Sequence, residues 1–176
     1  MGASLKVEGQ RSFEDLYGQY GQAVVRLCRL LLRDPQEAQD VSQEVFVKLF
    51  REEQIRPPAE LNRWLRRVAI NACRDRRRSA WWRVWRAGGS EPLAENQVAS
   101  REATPERAVL GLETRRQVWS AFRQLSARQQ EVFALRHVEG LSTTEVAETL
   151  GVTEGSAKRH LFRAVRRLRA ALGDIR

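Results

Sequence analysis

Helix-start signals recur along this chain, and each is followed by apolar residues at helical spacing, which leaves little room for any fold but an all-helical one. Ser12-Phe13-Glu14-Asp15, Asp34-Pro35-Gln36-Glu37, Ser126-Ala127-Arg128-Gln129 and Ser142-Thr143-Thr144-Glu145 each set an oxygen-bearing side chain ahead of a run. Such side chains accept from the free amides of a first turn. Pro35 suits the first helical position, where its missing N–H costs nothing. The first run predicts a buried stripe of Phe13, Leu16, Tyr17, Tyr20, Val24, Leu27 and Leu31. A second helix buries Ala38, Val41, Val45 and Leu49. After the break at Pro57-Pro58, a third presents Leu61, Trp64, Leu65, Val68, Ala69 and Ala72.

From about Arg83 to Ala103 the periodicity fails. Gly88-Gly89-Ser90 and Pro92 interrupt a polar stretch, which reads as a linker. Thr104-Pro105-Glu106 starts another helix, leading into Ala108, Leu112, Trp119, Phe122 and Leu125. No strand alternation and no fixed repeat occurs. The expectation is an all-α protein of two small helical domains joined by a flexible linker, the C-terminal one a helix-turn-helix.

Between Leu141 and Leu172 a short helix carries Val146, Ala147 and Leu150, turns at Gly151-Val152, and restarts near Thr153. Small Ala147 admits a close neighbour, and Gly151 takes the strained turn position. From Gly155 to Ala171 there are six basic residues (Lys158, Arg159, Arg163, Arg166, Arg167, Arg169) and no acid, with Leu161, Val165 and Leu168 opposite. A helix so divided fits a major groove, where Arg and Lys reach guanine edges and phosphates. A merely solvated cationic face is the plainer account of a charge run, but the caps and the missing acids count against it. His160 is placed on the cationic face, either as a neutral surface residue or as a base contact.

The formal net charge of +9 on 176 residues points the same way, toward a polyanionic partner. No apolar run reaches the roughly 18 residues of a spanning helix, and Met1 to Gln10 lacks the apolar core of a secretory signal, so a cytoplasmic location is expected. Cys28 and Cys73 sit in apolar helical patterns and read as small buried hydrophobes. With only His137 and His160 beside them, without ligand spacing, neither a disulfide framework nor a metal site is expected. Nor is any cofactor or small-molecule substrate. No phosphate loop, nucleophile triad or carboxylate pair marks an enzyme.

Three stretches carry a family resemblance: Ala38-Gln39-Asp40-Val41-Ser42-Gln43-Glu44-Val45-Phe46, Leu65-Arg66-Arg67-Val68-Ala69-Ile70-Asn71, and Leu125-Ser126 through Gly140-Leu141-Ser142. In this order, with the helix-turn-helix last, the chain resembles the extracytoplasmic-function (ECF) sigma factors of bacterial RNA polymerase from about Phe13 to Leu172. The resemblance implies a sigma domain two over residues 10–82, a linker over 83–104 and a sigma domain four over 105–173. It implies core RNA polymerase and promoter DNA as partners, and an anti-sigma factor as regulator.

Residue roles follow from the same resemblance. Asp40, Gln43, Glu44 and Val47 match the helix that docks on the polymerase. Charge agrees, since Asp34 to Glu60 holds seven acids against three bases, −4 in a basic chain. Trp64 to Arg86 reverses the sign with eight arginines and one acid, Asp75. Here Arg67, Asn71, Arg74, Asp75, Arg77 and Arg78 match the region that melts the upstream ten-type element, with Asn71 beside the flipped base. Asn71 as a helix-terminal cap is the alternative. Trp81, Trp82 and Trp85 are left open between stacking on melted bases, anchoring the linker and meeting a regulatory partner. Lys158, Arg159, His160, Phe162, Arg163 and Arg166 are the expected contacts to the thirty-five-type element. Where the family commonly has a small hydroxyl residue, an arginine and a β-branched residue, this chain has Arg159, His160 and Ala157, so the promoter letters do not transfer. An independent regulator with the same C-terminal motif is the rival within DNA binding, but its usual strand-and-helix receiver domain has no counterpart here. A basic RNA-binding adaptor is the rival that charge alone permits.

Overall fold

A computed structural model describes residues 13–52, 57–87 and 116–173, the side chains of 80–87 and 172 excepted. The chain divides into two compact units, Met1–Leu93 and Ala94–Arg176. All regular structure among the described residues is helical.

The first unit packs three helices pairwise, α1 (Phe13–Leu31), α2 (Pro35–Arg51) and α3 (Pro58–Ala87). Glu14 and Asp15 in the first turn of α1 and Arg29 in its last turn suit the helix dipole, while the capping role expected of Ser12 lies outside the described residues. Its buried stripe is Tyr20, Gly21, Val24, Leu27, Cys28 and Leu31. Phe13, expected inside, is 44% exposed and instead starts a surface ring cluster, 4.9 Å from Phe50 and 5.7 Å from Tyr17 between centroids. Gly21 serves close packing: a β-carbon there would meet the Tyr17 ring at 3.3 Å.

At the head of α2 the Asp34 carboxylate accepts from the amides of Gln36 (2.7 Å) and Glu37 (3.3 Å), the cap the sequence predicts. Ala38, Val41, Val45 and Leu49 are buried as expected, and Ser42 and Phe46 join them. Ser42 tolerates burial because its hydroxyl donates to the Gln39 carbonyl at 2.7 Å. In α3 the innermost residues are Leu61, Leu65, Ala69, Ile70 and Cys73, whereas Trp64, Val68 and Ala72 are half-buried. A helix lodged against two neighbours buries a wider arc than one stripe, which brings in Ile70 beside the expected Cys73. Cys28 and Cys73 are fully buried free thiols, and the neighbouring Cys73 together with burial pushes the Cys28 thiol far above its ordinary range. The α3 backbone continues past Arg83, where the linker was expected to begin, to Ala87. No Gly or Pro intervenes before Gly88 to stop it.

The second unit opens with a helical stretch over residues 116–123 (α4), followed by α5 (Ala127–Phe133), α6 (Thr143–Leu150) and α7 (Glu154–Gly173). The helix start expected at Thr104-Pro105-Glu106, with Ala108 and Leu112, lies outside the described residues. Ser126 with Gln129, and Ser142 with Glu145, form the two reciprocal capping boxes read from the sequence. One buried amide ties α4 to α5. Gln130 Nε2 donates to the carbonyls of Phe122 (3.1 Å) and Leu125 (3.2 Å), satisfying acceptors that the end of α4 leaves open. A single π-turn over Ala134–Val138 extends α5. Gly151 then ends α6 at φ 64°, and Val152 N–H reaches back to the Ala147 carbonyl at 3.0 Å. That left-handed position is cheap only for glycine and closes the last turn of the helix.

Candidate nucleic-acid interface

Thr153 begins α7, its hydroxyl accepting from the Ser156 amide at 3.2 Å. The helix packs against both α5 and α6, and its innermost residues are Ala157, Ala164 and Leu168. Leu161 and Val165, expected with Leu168 on the face opposite the cations, are half-buried at its flank. Two alanines let the helix axes approach, and larger residues on that line would hold them apart. The opposite side is open. Lys158, Arg159, Phe162, Arg163 and Arg166 are all exposed, Phe162 to 68%. Helical period sets Lys158, Arg159, Phe162 and Arg166 on one face, with Arg163 about a quarter-turn aside. An uncharged ring this exposed amid cations has no core to fill, and it offers apolar contact to whatever the cations attract. Lys158 Nζ lies 2.6 Å from Glu154 Oε1, a pairing whose only sequence signal is the spacing of four.

His160 departs from the expectation of a place on this face. It lies on the far side of the helix from Phe162 and is half-buried, and its Nδ1 is enclosed without a hydrogen-bond partner. Around it stand Arg128 and Glu131 of α5, paired at 3.2 Å with Glu131 almost wholly buried, and Arg159 and Arg163 of its own helix. Burial first, then the Arg128, Arg163 and Arg159 charges, lower its pKa, against an opposing pull from Glu131. The folded state therefore binds the proton less readily than the unfolded chain. The resulting stability is intact above the ordinary histidine value of about 6.5 and is lost as pH falls through and below it. Thermal unfolding of the second unit is expected at lower temperature at about pH 5.5 than at about pH 7.5. His160→Leu is expected to flatten that dependence, and an equally steep slope in the variant would place the titration elsewhere.

On α3, helical period places Arg67, Asn71, Arg74, Asp75 and Arg78 along one side. Arg67, Asn71, Asp75 and Arg78 are exposed and Arg74 half-buried. Asn71 lies in mid-helix, so it is not a terminal cap. Its Oδ1 accepts from Arg74 Nη1 at 3.1 Å, which holds the amide in place on the surface. Arg77 sits about a third of a turn off this line. Arg76, one of the eight arginines of the basic segment, faces α2 instead and joins Glu44 at 2.6 Å. The side chains of Trp81, Trp82 and Trp85 lie outside those described.

That ion pair belongs to an open concavity beside α2. Asp40, Gln43, Glu44 and Val47 line it together with Lys48, Arg51 and Arg76. All four residues expected to meet the polymerase thus share one surface, with Val47 48% exposed and Glu44 still open despite its partner.

Two helical units, one of them a helix-turn-helix whose outer helix is cationic, define the class of helical DNA-reading proteins. Residues 16–83 match Sigma-70 region 2, and residues 115–168 match Sigma-70 region 4. The RNA polymerase sigma-E factor of Streptomyces coelicolor is 33% identical over 163 residues, covering 91% of this chain and 85% of the relative. The ECF RNA polymerase sigma factor SigM of Mycobacterium tuberculosis is 32% identical over 172 residues, covering 96% and 82%. This chain belongs to the ECF family of RNA polymerase sigma factors. The fold is shared with the sigma factor RpoE of Bartonella quintana, solved in complex with the anti-sigma factor NepR, at a TM-score of 0.74 and 20% identity over 93% of this chain and 99% of that one. No described helix is long and apolar enough to cross a membrane.

Proposed function

We propose that this chain docks on core RNA polymerase through the outer surface of α2 and delivers it to promoters that its two basic helices recognise. In this reading α7 enters the major groove of the thirty-five-type element, with Lys158, Arg159, Phe162, Arg163 and Arg166 toward the DNA. The outer side of α3, centred on Asn71, receives the melted ten-type element, and Arg67, Arg74, Arg77 and Arg78 steer the displaced strand past Asp75. The face of α7 carries the reading: five exposed residues, four of them cationic, stand on a helix-turn-helix fixed by a capping box and a left-handed glycine. The surface of Asp40, Gln43, Glu44 and Val47 mixes charges of both signs with an exposed apolar side chain, which suits a protein partner rather than the uniformly anionic backbone of DNA. The chain lends sequence reading and strand separation, performs no bond chemistry of its own, and works in the cytoplasm beside the polymerase. The domain limits 10–82, 83–104 and 105–173 belong to the same reading. So does control by an anti-sigma factor covering the polymerase-facing surfaces, as supported by the complex in which the Bartonella relative was solved.

Run-off transcription with core polymerase is the test, since promoter-specific transcripts arise only if the chain acts as a sigma factor. Lys158→Ala or Arg163→Ala is expected to weaken binding to duplex carrying the upstream element by about 1 to 3 kcal/mol, if that residue makes a bidentate base contact. Unchanged affinity in both variants argues against this docking. Asn71→Ala is expected to keep duplex binding and lose open-complex formation, read by permanganate footprinting. Normal melting in that variant removes Asn71 from the site.

A further inference from the structure

We infer that Glu154 is a positioning residue that makes α7 selective, by holding the Lys158 ammonium at the head of the helix. The inference rests on the reading of α7 as the helix that enters the groove. Glu154 is the one acid in a helix rich in arginine. Its carboxylate is 44% exposed and Lys158 is 64% exposed, so the pair stands at the surface that would face DNA. Capping does not explain it. Thr153 already receives the Ser156 amide, and Glu154 directs its Oε1 to Lys158 at 2.6 Å. Thr144, at the start of α6, lies near enough to help Lys158 hold this carboxylate in its charged form. Arg159, Arg163 and Arg166 make no comparable pair among the described residues.

Two consequences follow from the chemistry of an ammonium group. Lys158 has three N–H donors, and with one on Glu154 the other two are aimed outward from a fixed point. A lysine otherwise swings on a four-carbon stem and settles on the nearest phosphate. The pair is also close to neutral as a unit, so Lys158 adds little to the sequence-independent pull on the backbone, and the carboxylate repels any phosphate that comes within reach. Lys158 is thereby reserved for base acceptors such as guanine O6 and N7. An acid stabilising the helix dipole from the first turn would do none of this, and the two roles separate by experiment.

The full chain bound to core polymerase selects duplexes from a randomised pool, and affinity for the selected duplex is compared with that for a scrambled one. Glu154→Gln is expected to bind the scrambled duplex more tightly, to steepen the salt dependence by about one phosphate contact, and to cut the selected-to-scrambled ratio about five- to tenfold. In a Lys158→Ala background the same change should leave that ratio where Lys158→Ala alone puts it. An unchanged ratio in Glu154→Gln, or an equal fall in the Lys158→Ala background, overturns the inference. If the wild-type complex prefers no duplex at all, the groove-reading role of α7 fails first and takes this inference with it. Both side chains are exposed, and hydrogen exchange across α5, α6 and α7 verifies that the variants keep the fold.

Discussion

Phe46→Ala is expected to cost the first unit about 3 to 5 kcal/mol, the range for emptying a buried aromatic site. A small domain is stable by only about 5 to 15 kcal/mol, so the loss threatens the whole unit. Phe46 is the largest of the fully buried side chains described, and the Tyr17 ring meets its edge at 5.0 Å. It projects from the inner side of α2, whose outer side carries Asp40, Gln43, Glu44 and Val47. Without the ring, α2 loses its seat against α1, and those four residues lose their common surface. Hydrogen exchange on the full chain should show protection falling across α1, α2 and α3 while α5, α6 and α7 keep theirs. Polymerase binding should weaken with it. Phe50→Ala is the control, because that ring is 47% exposed and its removal leaves no closed cavity. A loss for Phe46→Ala as small as for Phe50→Ala would mean the core refills the gap.

Ala164→Leu should do the opposite, damaging the second unit alone by overfilling it. Ala164 has no exposed surface, and it lies on the line along which α7 meets its neighbours. Three extra carbons there force off-rotamer side chains or shift the helix, at a cost of about 1 to 3 kcal/mol. The functional loss is expected to exceed the loss of stability, since a base-reading helix displaced by about 1 Å no longer sets its side chains against base edges. Duplex affinity should fall while binding to core polymerase persists through α2. Wild-type affinity for selected duplex in this variant would show that α7 tolerates a wider spacing than its alanine seam implies.

Helix starts were the most legible feature of the chain because they are local. Asp34, Ser126 and Ser142 each satisfy amides two or three residues away, so a short window of sequence contains all the chemistry. Gly151 was equally plain, since the left-handed turn is a property of one residue's backbone. The apolar stripes were read correctly at their centres and less well at their edges. Phe13 surfaces into a ring cluster, and Ile70 goes inside, because burial at the rim of a stripe depends on which neighbour happens to lie there. The candidate site divided in the same way. Its cationic content is visible in the sequence, but the inward turn of His160 is not, since a run of basic neighbours says nothing about which residue faces α5.

By itself the amino-acid order determined an all-helical chain, a helix-turn-helix near its end and opposite charges on its second and third helices. All of these are set by interactions spanning a few residues or by simple sums of charge. Only the tertiary structure decided that Arg76 leaves the basic set to join Glu44, that two alanines seat α7, and that His160 turns inward. Those outcomes depend on contacts between residues far apart in sequence, as with the 32 positions separating Glu44 from Arg76, and no local pattern encodes such a distance.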